Sequence, residues 1–245
     1  MGQILSEWKK STIKLVYKRR RDTCKPNASR GLALESNALK LLTGILAKRV
    51  ASMLDPIIPE EQINYRQGRS ALLLAGSLLQ HIRTELEKPR GKLYAVFVDY
   101  SKAFDLVNRE LTINKIEGLI GRTKLTTLIS KILANNQIQI DDGIGKSQWL
   151  IQANGVLQGD PLSPILFNAL THDVGAKIKK ETDIVIYMYA DDTALVSETI
   201  PDLQTAVDFL SIWAQSNEIK IIENRTSDLY KGGKSAESER IKCNE

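Results

Sequence analysis

The stretch Ile184-Val-Ile-Tyr-Met-Tyr-Ala-Asp-Asp-Thr-Ala-Leu-Val-Ser197 constrains this chain more than any other. Two β-prone runs, 184–190 and 193–197, flank the adjacent acids Asp191 and Asp192. An apolar run, a two-acid tip and a second apolar run read as a β-hairpin. Such a tip presents both carboxylates at one edge of a sheet. Paired charges there are costly unless a cation lies between them. A divalent metal suits the role, because hard cations such as Mg²⁺ prefer carboxylate oxygen. Taken alone, an Asp-Asp tip is more often a solvated turn. A third carboxylate upstream changes the balance.

That carboxylate is Asp99, at the end of Leu93-Tyr-Ala-Val-Phe-Val98, a continuous apolar run of the kind found in central strands. If this strand pairs beside the hairpin, three carboxylates converge. Two-metal phosphoryl transfer uses such carboxylates to hold two ions about 3.5–4 Å apart. One ion lowers the pKa of an attacking hydroxyl and the other neutralises a leaving pyrophosphate. No protein nucleophile is required. His81 and His172 each fall in a helical segment, and neither is assigned a role.

The 245 residues allow one large domain or two closely packed lobes, and 42% hydrophobic content supports a core. No apolar run reaches the roughly 18–20 residues of a membrane span, and the first residues lack the apolar core of a signal peptide. Cys24 and Cys243 lie in polar, basic surroundings and read as free thiols. Charge is uneven: residues 1–50 carry 12 Lys/Arg against 3 Asp/Glu, whereas the whole chain is only +5. The run Lys18-Arg19-Arg20-Arg21 suits phosphate contact, a solvated loop or a localisation signal.

Along the chain, residues 8–18 alternate as a strand, and a helix starting at Ser36 has Leu39, Leu42, Leu46, Val50 and Met53 on one face. Ser70 caps a second, very apolar helix, expected to be buried on most sides. Residues 101–120 and 124–135 read as helices, and Gln137–Gln152 as a hairpin around Asp141-Asp-Gly-Ile-Gly145. Ser163-Pro164 opens a helix expected to run continuously through Leu166, Leu170, Val174 and Ile178. A helix with Leu203, Val207, Leu210 and Trp213 follows, then short strands at 219–222 and 227–230. Strands in an antiparallel sheet packed on helices describe an α+β fold.

Three ordered segments carry a family resemblance: Phe97-Val-Asp99-Tyr-Ser-Lys-Ala-Phe104-Asp, Gly155-Val-Leu-Gln158-Gly159-Asp-Pro-Leu-Ser-Pro-Ile-Leu-Phe167, and Tyr189-Ala-Asp191-Asp192. Together they resemble the reverse transcriptases of non-LTR (LINE-type) retrotransposons. Asn27–Leu34, Ile58–Ser70 and Asn217–Thr226 extend the resemblance over residues 4 to 233. It implies a right-hand polymerase fingers and palm with the thumb absent and no preceding endonuclease. Fingers would be residues 1–92, with 121–153 contributing. The palm would be 93–233, and 234–245 a polar tail.

The resemblance also implies roles. Asp99, Asp191 and Asp192 match the catalytic metal-binding aspartates, with the Tyr100 carbonyl as a further ligand and Mg²⁺, or alternatively Mn²⁺, as cofactor. Phe104 matches the aromatic gate against a ribose 2′-hydroxyl; its other reading is a helix core residue. Gln158, Gly159, Lys18 and Arg30 match positions that bind the incoming nucleotide. Gln62, Tyr65, Arg66 and Gly68 fall where the family contacts template; a capped turn is the structural alternative. RNA template, DNA primer and deoxynucleoside triphosphates are the implied partners, with no membrane, and the nucleus is the expected location.

Departures are Asn64 for the usual Gly, Ser29 for Tyr, and Arg225 for a Lys thought to protonate pyrophosphate, a task for which Arg is a poor acid. Two readings follow: an RNA-directed DNA polymerase domain, or a retroelement-derived remnant of little or no activity that at most binds nucleic acid. A diguanylate-cyclase-like palm would need a Gly-Gly-Asp/Glu tip, which this hairpin lacks.

Overall fold

A computed structural model of the chain describes residues 3–17, 29–222 and 226–227. The elements fall into two units, one built from Met1–Pro56 and Phe104–Ala169, the other from Ile57–Ala103 and Leu170–Glu245.

The first unit is organised on a four-stranded sheet. β1 (Lys10–Tyr17) pairs antiparallel with β2 (Ser29–Leu34) and parallel with β4 (Gln137–Asp141), and β4 carries the short β5 (Leu150–Ile151). The expected hairpin forms between β4 and β5. Asp142 Oδ1 accepts from the Ile144 and Gly145 amides and fixes its turn. Helix α1 (Asn37–Leu54) buries Leu39, Thr43, Leu46, Val50 and Leu54, while Met53 faces solvent. α3 (Arg109–Ile120) and α4 (Lys124–Leu133) bury Ile113, Ile116, Ile129 and Ile132.

Helix α3 starts later than the sequence suggests. Residues 102–106 are turns, with Lys102 at φ 49°, and the helix begins where Asn108 Oδ1 accepts from the Leu111 amide.

The second unit holds a sheet in the order β6 (Val185–Tyr189), β7 (Asp192–Ser197), β3 (Tyr94–Ser101), β8 (Lys220–Ile222), with β9 (Thr226–Ser227) also on β3. Helix α7 (Ile200–Ser216) buries Leu203, Ala206, Val207, Leu210 and Trp213. Helix α2 (Ala71–Glu87) lays Leu78, Ile82 and Leu86 on Leu93, Ala95 and Val196.

The expectation that α2 is buried on most sides is wrong. It has no buried residue, and Leu72, Leu73 and Leu79 are 82%, 60% and 65% exposed. Within this unit the helix meets the sheet along one stripe only, so the remaining leucines stay outside.

The helix expected to run on from Ser163 also divides, into α5 (Ser163–Thr171) and α6 (Val174–Glu181). Asp173 sits at the break. Its carboxylate accepts from Trp213 Nε1 at 3.0 Å and pairs with Lys177 at 2.7 Å, so it does not cap α6. Ser163 does not cap α5 either. Its hydroxyl donates to the Leu157 carbonyl, and Asp160 Oδ1 accepts from the Leu162 amide at 2.6 Å.

Candidate active site

In the second unit, the antiparallel ladder of β3 and β7 pairs Phe97 with Ala194, Val98 with Thr193, and Asp99 with Asp192. Side chains alternate along a strand, so Ala95, Phe97 and Asp99 share one face of β3. Ala95 lies under α2, whereas Phe97 is 39% exposed and Asp99 half-buried beyond it. On the other side of β3, Asp99 pairs with Ile222 and Ser101 with Lys220, both from β8 and both exposed. The aspartate end of this face is therefore open within its unit, and the other end is covered.

The hairpin turn is two residues long, because Tyr189 and Asp192 are already paired. Its first residue, Ala190, takes a φ of 55°, a left-handed conformation that costs a side-chain-bearing residue about 1–2 kcal/mol. Asp191 is the second. Among the described residues no three His, Cys, Asp or Glu side chains converge closely enough to hold a metal ion. The register thus brings Asp99 and Asp192 face to face, and Asp191 does not complete a cluster with them.

Tyr100 points to the opposite face of β3 and is buried. Burial pushes its phenol up to about 12, and the neighbouring Thr193 hydroxyl only partly offsets this. The two hydroxyls adjoin without a well-formed hydrogen bond.

The segment before α2 is stitched to the same hairpin. Met188 donates its amide to Glu61 O at 3.0 Å, Ile63 donates to Met188 O at 3.3 Å, and Glu61 forms an ion pair with Lys179. Gln62 is 1% exposed and its Nε2 donates to Thr171 Oγ1 at 2.6 Å. Arg66 folds back, Nη1 donating to Ile58 O, Pro59 O and Gln62 O at 3.2, 2.9 and 3.3 Å. Gln62 and Arg66 therefore hold the turn. Tyr65, at φ 55°, is the exposed member, and its phenol is raised by desolvation, then by Tyr189 and the Asp191 carboxylate. Gly68, at φ 75°, occupies open space. The Glu61–Lys179 pair was not legible in the sequence, since its partners lie far apart.

In the first unit, Phe104 lies in the turn before α3, not in a helix. Its ring stacks on the fully buried Phe167 at 5.2 Å between centroids and 18° between planes. Its carbonyl accepts from the Val156 amide at 2.8 Å. Gln158 O accepts from the Ala33 amide of β2 at 2.9 Å, and Gln158 Nε2 reaches Asp105 Oδ1 at 3.4 Å. Gly159 takes φ 108° against Leu32, and Arg30 is exposed on the same strand. Arg109, unremarked in the sequence, fixes the start of this loop. It donates to the Gly155, Leu133 and Gln152 carbonyls at 2.7, 2.6 and 2.9 Å, and burial lowers its guanidinium to about 10. Lys18, the basic run, both cysteines and Arg225 lie outside the described residues.

The sequence pattern of the family described as reverse transcriptase (RNA-dependent DNA polymerase) matches residues 16–239. The chain belongs to the reverse transcriptase family. Among this family's members, it is 25% identical over 219 residues to the Pol polyprotein of a type-1 R2 retrotransposable element of Nasonia vitripennis, covering 84% of this chain and 21% of that protein. It is 26% identical over 234 residues to a probable RNA-directed DNA polymerase from transposon BS of Drosophila melanogaster, covering 90% of this chain and 25% of that one. The chain thus spans about a fifth to a quarter of these relatives.

Solved structures of telomerase share the reverse transcriptase fold. Apo telomerase of Candida tropicalis, truncated from its C-terminal domain, superposes with a TM-score of 0.69 at 16% identity, covering 96% of this chain and 53% of that one. Telomerase of Candida albicans, in complex with a fragment of telomeric RNA, gives 0.66 at 14% identity, covering 96% and 44%. The α+β fingers-and-palm architecture is that of this family. No helix among the described residues is long and apolar enough to cross a membrane.

Proposed function

We propose that this chain carries out RNA-templated addition of deoxynucleotides to a DNA 3′ end. The observation that supports the reading is the β3–β7 register, which sets Asp99 opposite Asp192 at the open end of a sheet. Family membership gives that pair its chemical meaning.

The donors suit a hard divalent cation: carboxylate oxygens from two strands, with a third carboxylate adjacent in the turn. Asp99, Asp191, Asp192 and the Tyr100 carbonyl would hold Mg²⁺, with Mn²⁺ as an alternative. When bound, the ions activate the primer hydroxyl and neutralise charge on the leaving pyrophosphate.

The chain's other residues bind and orient. Arg30 and Lys18 would fasten the triphosphate of the incoming nucleotide through charge-assisted hydrogen bonds. The Gln158–Gly159 loop contacts the same nucleotide. Phe104, held by its stack on Phe167, would exclude a ribose 2′-hydroxyl by bulk. Tyr65 offers an aromatic face on which a template base can stack, and Gly68 allows the template backbone to approach closely. Gln62 and Arg66 serve by holding that turn.

One observation favours the second reading, a nucleic-acid-binding remnant: the three aspartates do not form a closed cluster among the described residues. Single-nucleotide incorporation on an RNA template with Mg²⁺ separates the two. Polymerase function predicts incorporation by wild type, none by Asp99→Asn, and increased ribonucleotide use by Phe104→Ala. RNA binding with no incorporation under any condition would favour the remnant.

Nuclear residence is the location we infer from the element type and the basic run 18–21. Unchanged nuclear accumulation of a fluorescent fusion lacking that run would show that the run is not the signal.

A further inference from the structure

Two carboxyl groups meet beneath the Gln158–Gly159 loop. Glu35 directly follows β2, Asp160 directly follows Gly159, and their side chains share a hydrogen bond. Asp160 is 9% exposed and also accepts from the Leu162 amide at 2.6 Å, while the nearby Thr43 hydroxyl donates to the Lys40 carbonyl. Glu35 Oε2 is buried and has no hydrogen-bond partner. Both acids line a cavity of about 20 Å³, which holds roughly one water molecule and cannot hydrate a second charge.

Two ionised carboxylates in contact cannot both persist there, so one retains a proton. The donors decide which. Asp160 receives the Leu162 amide besides Glu35, and Glu35 Oε2 receives none. The proton therefore resides on Glu35, whose O–H donates to the Asp160 carboxylate. Burial, and then the Asp160 charge, lift Glu35 to about 8, with Lys40 of α1 opposing. The other groups facing the pair are Thr43 of α1 and Arg109 of α3, whose Nε and Nη1 donate to three carbonyls while its buried Nη2 has no hydrogen-bond partner.

We propose that the Glu35–Asp160 pair is a proton-dependent latch that holds the Gln158–Gly159 loop on strand β2. The inference rests on the reading of that loop as a nucleotide contact. Apart from the latch, the loop is joined to β2 by the Ala33 amide to Gln158 O bond and by the packing of Gly159 on Leu32. When Glu35 ionises, two carboxylates repel at the point where loop and strand are joined. Glu35 and Asp160 are positioning residues: they place Gln158 and Gly159 without touching substrate.

Exchange of the Ala33 amide, followed by NMR on the full chain from pH 6.5 to 9.5, reads the latch directly. After correction for intrinsic exchange, wild-type protection is expected to fall by up to about tenfold per pH unit from pH 6.5 towards 8 and to level off above. Glu35→Gln, whose amide donates to Asp160 at every pH, is expected to keep its protection. The same pH dependence in both proteins would overturn the proposal.

A carboxyl-¹³C titration of the wild type requires no variant. A Glu35 midpoint near 8 supports the latch, and a midpoint in the ordinary glutamate range overturns it. Neither measurement needs polymerase activity. A chain with an intact latch and no nucleotide incorporation would count against the polymerase reading alone.

Discussion

Asp99 and Asp192 face each other directly across the β3–β7 ladder. Like charges in that relation destabilise a sheet by about 0.2–1 kcal/mol relative to neutral pairs. Asp192→Asn is therefore expected to raise unfolding stability by about that amount in metal-free buffer, measured by urea denaturation. Millimolar Mg²⁺ is expected to raise the Tm of wild type and not of the variant. Destabilisation by the substitution, or an equal Mg²⁺ response in both, would contradict the assigned role.

Gly155 takes a φ of 81°, and a Cβ there would lie 2.5 Å from the Asp105 carbonyl oxygen. Both strain and clash oppose any side chain. Gly155→Ala is expected to cost about 2–4 kcal/mol, read from the denaturation midpoint at unchanged m-value.

Helix α2 offers a test of its one-sided packing. Ile82→Ala removes a contact with the Leu93–Ala95–Val196 cluster and is expected to cost roughly 1–2 kcal/mol. Leu72→Lys and Leu79→Lys, on the outer face, should change stability by no more than about 0.5 kcal/mol. A large loss from either lysine would mean that the outer face is covered.

Glu35 gives the protein a pH dependence whose sign is fixed. Its folded-state pKa, about 8, lies above the ordinary carboxyl value of 4.5. The native state thus holds a proton that the unfolded chain releases in this window, and stability falls as pH rises through it. Wild-type stability relative to Glu35→Gln is expected to fall from about pH 4.5 to about pH 8 and to level off above, measured by thermal unfolding across buffers.

Much of this was legible in the sequence because it depends on local pattern. The apolar runs on both sides of Asp191-Asp192 give the hairpin, although its turn is Ala190-Asp191 and Asp192 already belongs to the ladder, and the apolar run ending at Asp99 gives the strand beside it. What escaped depends on partners distant in the chain. Leu72, Leu73 and Leu79 are the same kind of residue as Leu78 and Ile82. Only the position of the sheet tells them apart. Leu166, Leu170, Val174 and Ile178 keep helical spacing through a break set by Trp213, forty residues beyond Asp173. Asn108, a good N-cap residue, was the available signal that α3 begins at Arg109. Asp160 before Pro161 was the corresponding signal for α5. Glu35 and Asp160 gave no hint of contact, because tertiary structure alone brings them together.

The role proposed for these aspartates in RNA-templated DNA synthesis has one decisive readout. Primer extension on an RNA template with Mg²⁺, comparing wild type with Asp191→Asn/Asp192→Asn, tests it most directly. Extension is expected from wild type and none from the folded double variant. A folded wild type that binds template and primer but never extends would contradict it.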